Sequence, residues 1–123
     1  MRNLFEWEKI EPKTIIPGFR ARFVHSANMT FALWDIDAGG ALPDHSHPHE
    51  QVVHQLYGEL ELTIDGVTTI LRPGTVAVIP PNAVHSGRAL TACHVMDVFY
   101  PLREDYMTGA KPSVLQDAVK QSA

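Results

Sequence analysis

The sequence predicts an all-β domain, a barrel or jelly roll built from short strands. Three observations support this fold class. Proline and glycine recur at short intervals, the segments between them are rich in residues that favour strands, and helical periodicity is absent before the C-terminal tail. Many short strands separated by turn signals are typical of β-sandwiches and closed barrels.

The expected strands follow one another along most of the chain. They cover 19–25, 29–36, 52–64 with a break near Gly58, 67–71, 75–79 and 94–99. The pair Asp65-Gly66 predicts a tight hairpin between the third and fourth segments, and Pro73-Gly74 predicts the turn that follows them. In the tail, Ser113 can cap a short helix with apolar residues on one face, and a frayed terminus is the alternative.

Length, charge and cysteine content limit the class of protein. The chain has 123 residues, a formal net charge of −4 and no basic run, so we expect no nucleic-acid partner. We expect a single domain over 1–123, with a barrel core over about 15–103 and a tail over 104–123. The single cysteine, Cys93, excludes an internal disulfide framework and fits a reducing cytosol. The start lacks the apolar segment of a signal peptide, and no apolar run approaches the ~20 residues needed to cross a bilayer. A soluble cytoplasmic protein without a membrane partner is therefore expected.

The segment 39–58 carries the clearest functional signal. It begins and ends with glycine, places His45 and His47 two residues apart, and has Gln51 four residues further on. Alternate side chains of a strand point to one face, so these three residues can hold one ion together, with His85 as a fourth candidate. Imidazole nitrogens with an amide oxygen suit Zn, Fe, Ni, Cu or Mn better than Ca or Mg. The sequence therefore predicts one divalent transition metal ion, whose identity it leaves open.

Two neighbours of Gln51 are alternative site residues. Glu50 would bind a cation more strongly because it is charged, but Gln51 has the parity of the histidines, and we favour it on geometry. His49 has the right parity, yet Pro48 interrupts the strand, so we expect a rim position and leave contact with metal or substrate open. Alternation turns His54 away from the site.

The same alternation has two further consequences for the expected site. It places Val53, Gln55 and Tyr57 on the ligand face. Four neutral ligands also leave the full charge on the ion, which favours an anionic ligand.

A carboxylate within the last predicted strand is the second unusual feature. Asp97 lies between Met96 and Val98, and a buried unpaired carboxylate is costly. It is either paired with an arginine such as Arg103 or Arg88, or it acts as a general acid or base, and the sequence leaves both open. Guanidinium groups that can hold a carboxylate bidentately, with a plain surface position as the alternative for each, are Arg20, Arg22, Arg88 and Arg103. Aromatic residues expected in the core or the pocket wall are Trp7, Trp34 and Tyr57.

The spacing of these residues resembles the two sequence motifs of cupins. Gly39-x5-His45-x-His47-x3-Gln51-x6-Gly58 resembles the first motif, with glutamine in the usual glutamate position. Gly74-x5-Pro80-x-Asn82-x2-His85 resembles the second, with asparagine replacing a glycine and Ala89 where asparagine is usual. The resemblance implies a small double-stranded β-helix, a jelly-roll barrel with metal bound inside, often as a homodimer.

Within the cupins, HSHPHEQ and DVFYPLREDY resemble the KdgF family of pectin and alginate breakdown. Members convert 4,5-unsaturated uronate monosaccharides to linear keto sugars. The resemblance implies an isomerase-like enzyme for a small anionic sugar or organic acid. It implies the metal ligands His45, His47, Gln51 and His85 and the catalytic cluster Asp97, Phe99 and Arg103. The alternatives are another metal cupin reaction, such as dioxygenation or lyase chemistry on a small acid, and a cupin that binds a sugar without turnover.

Overall fold

A computed structural model describes residues 3–107, which form ten strands in two antiparallel sheets. A 3₁₀ turn, Trp7–Lys9, precedes the strands, and one helical turn, α1 (Glu104–Met107), follows them. The all-β prediction is confirmed. The helix expected from Ser113 lies outside the described residues. Within 3–107, no helix has both the length and the apolar character that a membrane span requires.

The strands are distributed over a six-stranded and a four-stranded sheet. They are β1 (Lys13–Ile16), β2 (Phe19–His25), β3 (Thr30–Ile36), β4 (Ala41–His45), β5 (Glu50–Tyr57), β6 (Leu60–Ile64), β7 (Val67–Leu71), β8 (Val76–Ile79), β9 (His85–Ala89) and β10 (Cys93–Tyr100). The larger sheet has the order β1-β2-β3-β10-β5-β8, and the smaller one has the order β4-β9-β6-β7. Strand β10 pairs with both β3 and β5. Side chains from both sheets line one internal cavity.

Each predicted strand is present, and the long segment 52–64 is divided into β5 and β6. Gly58 makes this division with a φ of +78°, and a Cβ there would clash with the carbonyl oxygen of Ala92. Strands β1, β4 and β9 were not predicted. Strand β4 contains Pro43 and β9 contains Gly87, so their pairing with neighbours, rather than intrinsic propensity, makes them strands.

Alternation places Gln51, Asp97 and Phe99 on the inner face of the larger sheet. In β10 the buried positions are Cys93, Val95, Asp97 and Phe99, and each alternates with a more exposed neighbour. Strand β5 buries Gln51, Val53 and Gln55 in the same way.

The expectation that Tyr57 faces the ligand is wrong, because its side chain is 59% exposed. A register shift between His94 and Val95 pairs Tyr57 with the exposed His94, and this ends the alternation of β5. Of the two tryptophans, Trp34 belongs to the buried core, whereas Trp7 is half-buried in the 3₁₀ turn.

Candidate functional site

Three buried histidines converge at one end of the cavity. His45 ends β4 and lies opposite His85, the first residue of β9. His47 follows in the connection to β5. One ring nitrogen of each imidazole lies within 4.8 Å of the corresponding atoms of the other two, which is a spacing that a single bound ion can bridge.

Each of these imidazoles is oriented by a backbone carbonyl. Nδ1 of His45 donates to Pro43 at 2.9 Å, Nδ1 of His85 to Ala83 at 2.9 Å, and Nδ1 of His47 to His49 at 3.1 Å. A carbonyl oxygen only accepts, so the proton of each neutral ring is on Nδ1 and Nε2 keeps its lone pair. This is how backbone groups orient metal-ligating histidines.

Gln51 completes the donor set. Its Oε1 lies 3.0 Å from Nε2 of His47, and with His47 protonated on Nδ1 both atoms are acceptors. Nε2 of His85 is buried and has no hydrogen-bond partner within 3–107. Rotating the Gln51 amide would satisfy His47 alone, whereas one cation satisfies all of these atoms. The set therefore fits a divalent transition metal.

The two neighbours that competed with Gln51 lie elsewhere. Glu50 is exposed at the start of β5. His49 is half-buried at the rim, with its Nε2 donating to the carbonyl of Leu102 at 3.1 Å. Neither contributes to the part of the cavity wall that the structure describes. His54 is on the outer face of β5, as parity predicts.

Burial keeps the imidazoles neutral. It lowers the pKa of His47 to about 3, and the positive charge of Arg103 adds to this shift. Burial also lowers the pKa of His85. At neutral pH both rings therefore present lone pairs without first losing a proton.

Asp97 reaches the same cavity from the middle of β10. Its side chain is buried, and within 3–107 it forms no ion pair and its Oδ1 has no hydrogen-bond partner. Neither of the expected arginine partners pairs with it: Arg88 approaches Glu61 at 3.8 Å, and Arg103 pairs with Asp105. Burial raises the pKa of Asp97 to about 7, although the Gln51 amide, the Trp34 indole and Arg103 oppose this shift.

Arg103 is a fixed cation in the cavity wall, only 1% exposed. Its Nε donates to Oδ1 of Asp105 at 3.0 Å and its Nη2 to Oδ2 at 2.7 Å. The guanidinium carbon lies 4.8 Å from the ring centroid of Phe99 and 4.2 Å from that of Tyr106. Burial alone would lower the pKa of Arg103, but the hydrogen bonds and charge of Asp105, together with the charges of Tyr106 and Asp97, more than offset this and raise it.

Asp105 and Tyr106 were not singled out in the sequence. The one sequence signal for the pair was an acid two residues after Arg103. Whether these two residues contact each other depends on the conformation of α1, which the sequence pattern does not reveal.

The other candidate arginines have surface partners. Arg20 donates to Asp37 at 2.9 Å, Arg22 to the carbonyl of Ile10 at 2.8 Å, and Arg88 approaches Glu61. Of the four arginines considered, only Arg103 is among the described residues that line the cavity.

The cavity is open to solvent on one side, and its empty space together with that open mouth amounts to about 710 Å³. Three of the five buried side-chain atoms that lack a hydrogen-bond partner among the described residues belong to its wall: Nε1 of Trp34, Nε2 of His85 and Oδ1 of Asp97. An apolar cavity with convergent unsatisfied polar atoms is the expected form of a ligand site.

This fold and this histidine cluster define a cupin with a candidate metal centre. The chain belongs to the cupin family, since the family model for the cupin domain matches residues 32–99. No curated protein gives a significant match.

Solved structures extend the comparison. An RmlC-like cupin from Shewanella frigidimarina is 26% identical with a TM-score of 0.82, over 86% of this chain and 96% of that one. KdgF from Halomonas sp. is 25% identical with a TM-score of 0.81, over 86% of this chain and 99% of that one. A variant of oxalate decarboxylase from Bacillus subtilis shares the fold, at 21% identity and a TM-score of 0.69 over 79% of this chain and 29% of that one. The resemblance to KdgF found in the sequence is thus confirmed, and the cupins similar to this chain include enzymes.

Proposed function

We propose that this protein is a metal-dependent enzyme that converts 4,5-unsaturated uronate monosaccharides to linear keto sugars. The observation that carries the proposal is the presence of Asp97 and Arg103, a buried acid and a buried cation, in the cavity that holds the histidine cluster. The similarity to KdgF over most of both chains supports the same reaction.

His45, His47, Gln51 and His85 are the residues that would hold the metal. A bound divalent ion supplies Lewis acidity, which polarises a ligand oxygen and stabilises negative charge on it. All four ligands are neutral, so the ion keeps its charge and an anionic ligand is favoured.

Asp97 is the proposed proton carrier. Opening of the hemiacetal ring leaves an enol, and the keto product forms when a proton leaves the enol oxygen and another is added to carbon. A group with a pKa near neutrality can do both, and burial raises the pKa of Asp97 to about 7.

Arg103 is the proposed anchor of the substrate carboxylate. A guanidinium matches a carboxylate with paired N–H groups, and Asp105 engages one edge of it, through Nε and Nη2. Phe99 fixes the plane of the guanidinium and contacts the His47 ring, with centroids 5.7 Å apart. It thereby joins the anchor to the metal site.

Loss of the ultraviolet absorbance of the conjugated alkene tests the reaction. Metal-loaded protein is expected to accelerate this loss, and Asp97→Asn to reduce it to near the uncatalysed rate. Asp65→Asn is the matched control, because Asp65 is exposed in the β6–β7 turn with a φ of +47° that asparagine tolerates. Equal decay with and without protein at saturating metal would refute the proposal. Dependence on Fe(II) and oxygen would instead favour a dioxygenase, and tight binding without turnover a sugar-binding cupin.

We also propose a homodimer in the cytoplasm, as the family resemblance implies. Strand β8 forms one edge of the larger sheet, and Val76 and Val78 on it are 57% and 55% exposed. Covering them with a second copy would remove apolar surface from water. Light scattering is expected to give twice the mass of one chain, and a monomer at high concentration would contradict this assembly.

A further inference from the structure

Two unpartnered polar atoms of opposite hydrogen-bonding character lie in the cavity wall. They are Nε1 of Trp34 and Oδ1 of Asp97. Each side chain is only 7% exposed, and neither atom has a hydrogen-bond partner within 3–107. Buried polar groups are normally satisfied, so each such atom calls for an explanation.

The register of the larger sheet makes these two residues neighbours. In the pairing of β3 with β10, Trp34 lies opposite Val95 and Asp97 lies opposite Ala32. Trp34 and Asp97 are therefore diagonal neighbours on the inner face, a relation in which long side chains come within reach of each other. The indole N–H faces Asp97 closely enough to lower its pKa as a hydrogen-bond donor does, yet the two groups do not reach the distance and angle of a formed hydrogen bond.

The position of the indole is fixed by its packing. Its ring meets those of Phe19, Phe23 and Tyr106 edge-to-face, with centroid distances of 6.2, 6.2 and 6.4 Å. Such contacts hold an aromatic ring in one orientation. The N–H group is thus a preorganised donor, and a ligand would not have to order it.

The chemistry of the two atoms selects the ligand group. An indole N–H only donates, and Asp97 only accepts in its ionised form, which a bound metal ion would favour. A hydroxyl satisfies both at once, because it accepts from the indole and donates to the carboxylate. A ligand carboxylate could use only the indole, and an ammonium group only Asp97.

We propose that Trp34 and Asp97 together bind one hydroxyl group of the ligand, so that Trp34 selects hydroxylated acids over acids of similar size without hydroxyls. This inference rests on the proposed function for the identification of the ligand as a sugar acid. Trp34 would contact the ligand directly, next to the group that moves the proton.

Calorimetric titration of Zn²⁺-loaded protein with two stable probes tests the inference. D-glucuronate has no double bond to be turned over, and cyclohexanecarboxylate has the same ring size and charge but no hydroxyls. Trp34→Phe keeps an apolar ring and removes the N–H. It is expected to weaken glucuronate binding about 3- to 10-fold, as for loss of one hydrogen bond, and to leave cyclohexanecarboxylate binding unchanged. Trp7→Phe is the control, since Trp7 lies in the 3₁₀ turn. Equal weakening of both probes by Trp34→Phe, or of neither, would overturn the inference.

A second measurement uses the unsubstituted protein and so does not depend on the folding of a variant. The chain has two tryptophans, so its ¹H–¹⁵N spectrum contains two indole N–H signals, and Trp7→Phe assigns them. The Trp34 signal is expected to shift with glucuronate and to shift much less with cyclohexanecarboxylate. Equal shifts, or no glucuronate binding, would refute the inference. Glucuronate binding without turnover of the unsaturated sugar would refute the proposed reaction and leave this inference intact.

Discussion

Replacing Asp97 by asparagine is expected to change how the stability of the metal-free protein depends on pH. Burial raises the pKa of Asp97 from its ordinary value of 3.8 to about 7. Between these two values the folded protein holds a proton that the unfolded chain has lost. The free energy of unfolding therefore falls as the pH rises through this window, and it stays low above it. Asparagine does not titrate and removes this fall.

The magnitude follows from the size of the shift. At ~1.4 kcal/mol per pH unit, a pKa raised from 3.8 to about 7 corresponds to about 4 kcal/mol. The Asp97→Asn substitution would leave buried amide atoms in place of the carboxyl. This lowers the free energy of unfolding by about 1–3 kcal/mol at every pH, because the amide does not titrate. The variant is thus expected to be less stable than the wild type at pH 4 and more stable at pH 8. The histidines do not obscure this difference, because they are common to both proteins.

Urea denaturation of metal-free protein at a series of pH values measures the effect. The stability difference between Asp97→Asn and the wild type is expected to change by up to about 4 kcal/mol between pH 4 and pH 8, in favour of the variant. Asp65→Asn, at the exposed turn, should follow the wild-type profile. Parallel curves for Asp97→Asn and the wild type would show that Asp97 ionises as easily in the fold as in water, and the reasoning from burial would be wrong.

Three further substitutions test the metal site and the anchor. His85→Ala removes the buried Nε2 that lacks a partner among the described residues, so the bound metal measured by mass spectrometry should fall well below one ion per chain. The outward-facing His54→Ala should keep the metal, and equal metal content in both would exclude His85 as a ligand. Asp105→Asn loosens the bidentate hold on Arg103 and should raise KM more than it lowers kcat. Glu61→Gln, which removes the surface partner of Arg88, should change neither, and an unchanged KM in Asp105→Asn would argue against the anchor. Gln51→Glu adds a carboxylate near Asp97, so it should tighten metal binding. The added negative charge should also raise the pKa of Asp97 and so move the acidic limb of the pH–rate profile to higher pH. An unmoved limb would show that Gln51 does not influence Asp97.

Local patterns in the sequence were sufficient for much of the fold and for the histidine cluster. Alternation is a property of each strand by itself, and it correctly separated Gln51 from Glu50 and turned His54 outward. Hairpin signals such as Asp65-Gly66 are equally local, and the strand β7 that follows that turn has the predicted bounds.

Features that depend on pairing between distant segments could not be predicted from local sequence patterns. Strand β4 exists because β9 pairs with it, although both contain residues that strands disfavour. Tyr57 faces outward because of a register shift in the pairing with β10. The partner of Arg103 is Asp105 rather than Asp97 because α1 turns back onto the cavity, and no periodic pattern in the sequence marks a four-residue helix.

In the proposed reaction, the charges in the described cavity wall would let metal and ligand act on the protonation of Asp97 in opposite directions. Asp97 is the one carboxylate in that wall, and Arg103 is the one guanidinium. A bound cation favours the ionised form of Asp97, whereas a ligand carboxylate placed on Arg103 offsets the nearest positive charge and favours the protonated form. Gln51 interacts with both the histidine cluster and Asp97. Its Oε1 approaches His47, and its amide lowers the pKa of Asp97. Because Gln51 carries no charge, it can connect the metal site with Asp97 without itself forcing Asp97 to be ionised or protonated. A group near its titration point is what the proposed reaction, which both removes and returns a proton, would require.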